Sequence, residues 1–169
     1  MIYTKVTISQ QIVSHAVAQP NSFAVMQHIE RHHSKNTPAQ LFDMVADVER
    51  YPDFLPWVID AKVIGRQDRT MRVEMTVGTS FLRKRFKTVA LLDRPHRIEI
   101  SSHDAMFERF EQIWTFDPAA QGGTNVEYRV DFHFRSRVLQ ALIGASFVER
   151  SEMMVRGYML RARRLYGAL

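Results

Sequence analysis

Apolar and polar residues alternate through most of the middle of the chain, and this period of two predicts half-buried β-strands. The run TNVEYRVDFHF, residues 124–134, is the most regular, because every second residue from Val126 to Phe134 is apolar. Turn residues around Asp68 and Pro95 separate neighbouring runs. The same pattern predicts further strands at 26–33, 61–67, 70–77, 83–92, 97–102 and 106–116.

Two segments have helical spacing instead. Thr37 and Pro38 form a typical helix start, and the apolar residues of PAQLFDMVADV, residues 38–48, recur every three to four positions. From Arg137 to Tyr166 the chain has no proline, which predicts one helix about 45 Å long at 1.5 Å per residue. The order strand, helix, strands, long helix predicts an α+β fold in which the last helix covers one face of an antiparallel sheet.

The first part of the predicted long helix is apolar on nearly every side. The segment VLQALIGASFV, residues 138–148, carries no charge. One stripe consists of Leu139, Leu142, Ile143 and Phe147, and the opposite stripe of Val138, Ala141, Ala145 and Val148. A single sheet covers one face only, so the second face meets a membrane, a partner or another segment of the chain. The arginine-rich end suits either an interfacial helix near anionic lipid or a solvated helix terminus.

The inner faces of the later strands carry large side chains. Phe110, Trp114 and Phe116 share one face of one strand, and Tyr128, Phe132 and Phe134 share one face of the next. A curved sheet around one helix leaves space that such side chains either fill, as a solid core, or line, as a cavity. The pattern leaves both interpretations open.

The segment ERYPDFLPWV, residues 49–58, is unusually apolar for a loop. Its apolar and stiffening residues are Pro52, Phe54, Leu55, Pro56 and Trp57. The two prolines exclude a continuous helix. We therefore consider two hypotheses: a plug, in which the aromatic residues close the end of the core, and a gate, in which they stand at the mouth of a cavity.

Composition narrows the possible chemistry. The 169 residues predict one domain at 26–169, preceded by a flexible extension at 1–25 in which Lys5 is the only Lys or Arg. No cysteine is present, which removes disulfides, zinc–thiolate sites and cysteine nucleophiles and fits a cytoplasmic protein. The net charge of +5 favours anionic partners, and we expect peripheral contact with an anionic inner membrane but no binding to DNA.

The sequence contains no convincing catalytic or metal-binding constellation. Within a strand, His28 and His32 would lie about 13 Å apart, too far to share one ion, whereas within a helix they would be close enough. The basic segment RKRFK, residues 83–87, contains one aromatic residue, Phe86. It is either a solvated face or a contact for anionic lipid or RNA. The absence of a catalytic constellation favours a binding module.

Two segments carry a family resemblance. LFDMVADVERYPDFLPWV, residues 41–58, and the ending FHFRSRVLQALIGASF…RARRLYG, residues 132–167, resemble the coenzyme Q-binding START-domain proteins of the polyketide cyclase/dehydrase-like, helix-grip superfamily. The resemblance implies a START/Bet v 1-like fold, a curved antiparallel sheet of about six to seven strands around a long C-terminal helix, with short helices after the first strand. It also implies a lipid-sized tunnel and non-catalytic binding of ubiquinone or another polyprenyl lipid, with no other cofactor.

On this basis we expect the lipid tail to lie between sheet and helix. The predicted ligand-binding residues are Phe42, Phe54, Leu55, Pro56, Trp57, Val73, Met75, Phe110, Trp114, Val130, Phe132, Leu142, Ile143, Phe147 and Met154. The same resemblance reaches bacterial ribosome-association toxins, so a ribosome-binding regulator that uses RKRFK and the C-terminal arginines is an alternative. A polyketide cyclase-type enzyme is a third.

Overall fold

A computed structural model describes residues 26–78, 82–144 and 147–167; the predicted extension, residues 1–25, lies outside them. The strands are β1 Met26–Ser34, β2 Val58–Gln67, β3 Thr70–Gly78, β4 Arg83–Asp93, β5 Arg97–Ser101, β6 Phe107–Pro118 and β7 Thr124–Phe134. The helices are α1 Pro38–Ala46, α2 Arg137–Gly144 and α3 Phe147–Tyr166, with a 3₁₀ helix at Val48–Asp53.

The seven strands form one antiparallel sheet in the order β1-β7-β6-β5-β4-β3-β2. From β2 to β7 each strand pairs with the next along the chain, while β1 pairs with β7. Register shifts interrupt the β2–β3 and β6–β7 ladders, and such bulges bend a sheet. The prediction of a curved antiparallel sheet that holds a C-terminal helix is confirmed.

The core lies between the inner face of the sheet and the helices. On β7 the residues Val126, Tyr128, Val130, Phe132 and Phe134 are all buried, as the alternation predicts, and the residues between them are more exposed. Helix α3 crosses this face and turns its buried residues toward it. Because apolar burial is the main driving force of folding, the apolar face of the sheet and the buried side of α3 stabilise each other.

Helix α1 begins where the sequence predicts. Thr37 is the N-cap, and its side chain accepts a hydrogen bond from the backbone N–H of Gln40, while the Gln40 side chain accepts one from the backbone N–H of Thr37. The helix ends at Ala46, and a 3₁₀ helix that contains Pro52 follows. The segment predicted as a loop at 49–58 is therefore partly helical, because a short 3₁₀ turn tolerates the missing N–H of a proline.

The predicted continuous C-terminal helix is described as two elements, α2 and α3, and residues 145 and 146 between them lie outside the described residues. The predicted stripe of Leu139, Leu142, Ile143 and Phe147 is not buried along its whole length. Leu139 and Phe147 are buried, but Leu142 is 62% exposed. Val138, on the opposite stripe, is 70% exposed.

Candidate functional site

An apolar cavity of about 560 Å³ lies between the sheet and helices α2 and α3. Its wall is formed by the inner-face residues of β3 to β7, by the segment around Leu55, and by the buried side of α2 and α3. Ligand sites typically enclose about 300 to 1,000 Å³. The large inner-face side chains therefore line a space of ligand size instead of filling it, a point that the strand pattern alone left open.

Aromatic side chains close the end of the cavity away from α2. The rings of Tyr128 and Tyr158 lie 4.6 and 4.9 Å from Trp114, and Tyr158 also contacts the Tyr51 ring at 5.4 Å. The Tyr51 hydroxyl donates a hydrogen bond of 2.6 Å to the carbonyl oxygen of Val45. Burial raises the pKa of each of the three phenols above its ordinary value, so all three stay neutral near neutral pH.

The mouth of the cavity is marked by lining residues that are also exposed. Leu142 on α2 and Leu82 before β4 expose 62% and 40% of their surface, and the cations Lys84, two residues after Leu82, and Arg150 are exposed lining residues as well. Within the described residues no helix combines the length and the hydropathy needed to cross a bilayer. The mouth thus presents leucines and positive charge to the surroundings.

Most of the predicted ligand-binding residues lie in the cavity wall. They are Leu55, Trp57, Val73, Met75, Phe110, Val130, Phe132, Leu142, Ile143, Phe147 and Met154. They come from β3, β6, β7, both C-terminal helices and the segment after α1, and only the tertiary fold brings them together. Their contact with a ligand remains a prediction.

Of the residues that follow the 3₁₀ helix, some line the cavity and others do not. Leu55 is 1% exposed, and its side chain packs against Gly157 of α3 so closely that a Cβ there would lie 2.9 Å from it. Phe54 does not line the cavity, and its ring packs against those of Tyr158 at 5.2 Å and Tyr51 at 5.8 Å. Pro56 is exposed, and Trp57 is half-buried and lines the cavity.

Two further predicted residues support the wall from behind. Phe42 of α1 is buried with its ring 6.1 Å from Phe116, and it does not reach the cavity. Trp114 is 1% exposed and stacks 6.3 Å from the same Phe116, beneath Tyr128. Both residues are buried, as strand alternation predicts for Trp114 and helical spacing for Phe42, but these patterns do not distinguish a lining side chain from one that is covered by its neighbours.

Several wall residues were missed by the sequence reasoning. Phe86 belongs to the basic segment RKRFK, for which the sequence predicts a solvated face or a contact for anionic lipid or RNA, but it is 6% exposed and its ring contacts Phe107 at 5.2 Å. Gln112, Thr88 and Ser151 are polar lining residues. Gln112 had a usable signal, because it occupies an inner-face position between two aromatic residues of β6.

Two histidines of β1 contact the same carboxylate. His28 and His32 lie on the inner side of the strand, and both contact the carboxylate of Glu30, the first at 3.4 Å. Among the described residues, no group of three or more potential metal ligands is assembled. The Glu30 carboxylate gives both imidazoles a hydrogen-bond partner within the strand.

Comparison with known proteins agrees with this architecture. Ribosome association toxin RatA of Pseudomonas aeruginosa is 32% identical over 141 residues, which are 83% of this chain and 98% of that protein. Mitochondrial coenzyme Q-binding protein COQ10 homolog B of Xenopus laevis is 29% identical over 132 residues, 76% of this chain and 54% of that protein. The solution structure of the 18 kDa protein CC1736 of Caulobacter crescentus matches with a TM-score of 0.68 and 33% identity, covering 85% of this chain and 99% of that one.

More distant solved structures, START superfamily proteins among them, share the helix-grip fold. The model of one family, described as polyketide cyclase / dehydrase and lipid transport, matches residues 35–158, which include α1, the segment of the two prolines, most of the sheet and the first half of α3. This chain therefore belongs to the polyketide cyclase/dehydrase and lipid transport family.

Proposed function

We propose that this protein binds ubiquinone, or a similar polyprenyl lipid, in the cavity and supports respiratory electron transport by holding or transferring that lipid. The observation that carries the proposal is the cavity itself, about 560 Å³ with a predominantly apolar wall. Burial of apolar surface contributes about 25 cal/mol per Å², so a long hydrocarbon tail needs no charged partner. The relative named coenzyme Q-binding protein supports this choice among lipids.

Binding without chemical conversion is supported by the groups in the wall. Among the described lining residues, the ionisable groups other than the phenols are Lys84 and Arg150, and both are exposed near the mouth. General acid–base catalysis needs a donor and an acceptor whose pKa values lie near the working pH. The buried phenols do not meet this requirement, because burial raises their pKa values. A cyclase-type enzyme of the same family would need such groups inside the cavity.

The mouth supports exchange of the lipid with a membrane surface. Val138 and Leu142 of α2 are 70% and 62% exposed, and Arg83 and Lys84 are exposed at the start of β4. Exposed apolar side chains beside cations are typical of proteins that lie on an anionic bilayer. We therefore propose peripheral contact through the face that contains the mouth, so that a tail leaves the bilayer directly into the cavity.

The test is extraction and direct binding. The protein purified from a quinone-producing host should release ubiquinone or another prenyl lipid into organic solvent, as identified by mass spectrometry, and the delipidated protein should bind ubiquinone again. Recovery of a chemically altered lipid would contradict the non-catalytic proposal. Absence of any prenyl lipid, together with no binding on addition, would contradict the function itself.

A matched pair of variants ties the binding to the cavity. Val73→Trp places an indole in the cavity wall, since Val73 lines it and is 2% exposed. It should weaken ubiquinone binding about tenfold or more, because the indole displaces at least two tail carbons at about 0.8 kcal/mol each. Val89→Trp is the control, since Val89 lies on the outer face of β4 and is 38% exposed. If both variants bind ubiquinone with the same affinity, the lipid does not occupy this cavity.

Ribosome association is a second candidate, favoured by the RatA relatives and by the exposed basic start of β4. Arg83, Lys84 and Arg85 are exposed there, and Arg85 pairs with Glu74 at 3.6 Å. Because Phe86 is buried, this strand offers no base-stacking ring, and contact with ribosomal RNA would be electrostatic.

Cosedimentation with ribosomal subunits at several salt concentrations tests this candidate. The double variant Arg83→Glu/Lys84→Glu should abolish comigration, whereas Arg66→Glu, on the exposed outer part of β2, should not. Comigration that both variants lose equally, or that disappears at moderate salt, is non-specific polyelectrolyte binding.

A further inference from the structure

Besides the tyrosines and the two cations, three polar side chains interrupt the apolar wall of the cavity. Gln112 of β6, Thr88 of β4 and Ser151 of α3 all line it, and the latter two are only 5% and 6% exposed. In the described part of the chain these three side chains make no hydrogen bond with another residue, and their polar atoms keep some accessible surface, since the fully enclosed side-chain polar atom without a partner is Asp131 Oδ1. An unpaired polar group in an apolar site costs free energy, so buried polar side chains usually have partners. Here the available partner is whatever occupies the cavity.

The sheet register places Gln112 far from the mouth. It pairs with Ile100 of β5, which pairs with Ala90 of β4, so these three residues form one row across the sheet. Ala90 lies six residues beyond Lys84 on β4, about 20 Å along the strand. Thr88 occupies the inner-face position one step nearer the mouth. The polar groups thus lie in the inner part of the cavity.

Ser151 lies at a similar depth on the opposite wall. On α3 it stands between Phe147, whose ring is 4.9 Å from Phe132, and Tyr158, whose ring is 4.9 Å from Trp114. On the sheet, Gln112 of β6 pairs with Val130 of β7. This pair lies between the pair that contains Phe132 and the pair that contains Trp114. The helix hydroxyl and the strand amide therefore approach the same section of the cavity from two sides.

We propose, resting on the lipid-binding function above, that Gln112, Thr88 and Ser151 form a polar subsite for a neutral ring or head group with carbonyl oxygens. The Gln112 amide donates two hydrogen bonds and accepts two, and each hydroxyl donates one. The subsite side chains are uncharged; of the two cations in the wall, Lys84 lies at the mouth, and Arg150, which precedes Ser151 on α3, is exposed. A neutral carbonyl head therefore binds inside with its tail directed outward past Leu142. An anionic head would remain near Lys84.

The test compares two ligands with the same kind of tail. A short-chain ubiquinone carries ring carbonyls, whereas squalene is an isoprenoid hydrocarbon without oxygen. Gln112→Leu should weaken ubiquinone binding about three- to tenfold, the usual net effect of one neutral hydrogen bond, and leave squalene binding unchanged or tighter. Gln67→Leu, at an exposed position of β2, is the matched control and should change neither.

The outcomes separate the subsite from the general function. If the wild-type protein binds neither ligand, the lipid-binding function and the subsite both fail. If it binds both and Gln112→Leu has no effect on ubiquinone, or weakens both ligands equally, the subsite alone fails. Thr88→Val and Ser151→Ala are near-isosteric second variants, and each should reduce ubiquinone binding selectively. Thermal unfolding should show that none of the three is less stable than wild type, because each replaces an unpaired polar group with an apolar one.

Discussion

Leu55 is the residue that best distinguishes the plug from the gate, and Leu55→Ala gives the sharpest test of the packing. Its side chain is 1% exposed and lies against Gly157 of α3. The substitution removes three carbon groups, worth about 0.8 kcal/mol each, or about 2.4 kcal/mol together. A residual void adds to this cost. Because Leu55 already borders the cavity on one side, we expect a loss of about 2.5 to 3.5 kcal/mol in the free energy of unfolding.

The measurement is urea unfolding followed by circular dichroism, with the same substitution at a second leucine as its control. Leu142 also lines the cavity but is 62% exposed, so Leu142→Ala should cost less than about 1 kcal/mol. The reasoning is refuted if Leu55→Ala costs less than about 1 kcal/mol, or if the two variants are equally destabilised. A large, selective loss at Leu55 means that this part of the segment is a plug.

Trp57 is the residue at which the gate hypothesis remains testable. It lines the cavity but is only half-buried, unlike Leu55. Trp57→Ser should speed the release of bound ubiquinone to acceptor vesicles while most of the stability is kept. Unchanged release with a stability loss as large as that of Leu55→Ala would extend the plug to this residue.

Three further predictions concern the support of the site. Tyr51→Phe removes the buried hydrogen bond to the carbonyl of Val45 and should lower the free energy of unfolding by about 1 kcal/mol, measured in urea. Thr37→Ala removes the N-cap of α1 and should cost about 1 kcal/mol, with a smaller loss for Thr37→Ser. Asp43→Asn breaks a bidentate pair with Arg94, at 2.7 and 2.8 Å. The hydrogen bond from Arg94 holds the pKa of Asp43 below its ordinary value of 3.8, so the pair stabilises the protein above that pH and the contribution is lost as the pH falls through the lowered pKa. The stability difference between wild type and Asp43→Asn should therefore disappear in acid, and a difference independent of pH would contradict this.

Much of the fold could be predicted because the local signals agree with one another. The alternation on β7, the cap at Thr37 and the turn around Pro95 each specify a local structure that the tertiary fold keeps. The burial of the C-terminal helical region was predicted less well. Helical propensity gave no sign that Leu142 would be exposed at a mouth.

The sequence predicted only part of the set of residues that line the cavity, because a local pattern shows which face points inward and not what covers it. Parity identifies the inner face of a strand, so Val73, Phe110 and Phe132 were assigned correctly to the side that bears the cavity. Neither strand parity nor helical spacing shows which inner side chains are covered by others, so Trp114 of β6 and Phe42 of α1 were included although they do not line the cavity.

The sequence by itself determined the elements, their order and the face that each turns inward, because these follow from short-range periodicity and from the restrictions of proline and the caps. Only the tertiary structure decided that the inner face encloses a space, that Leu55 is locked against α3 while Trp57 borders the space, and that Gln112 lies deep within it. Those facts depend on the curvature of the sheet and on the distance at which α3 crosses it. Both are set by contacts between residues far apart in the chain, which no local pattern records.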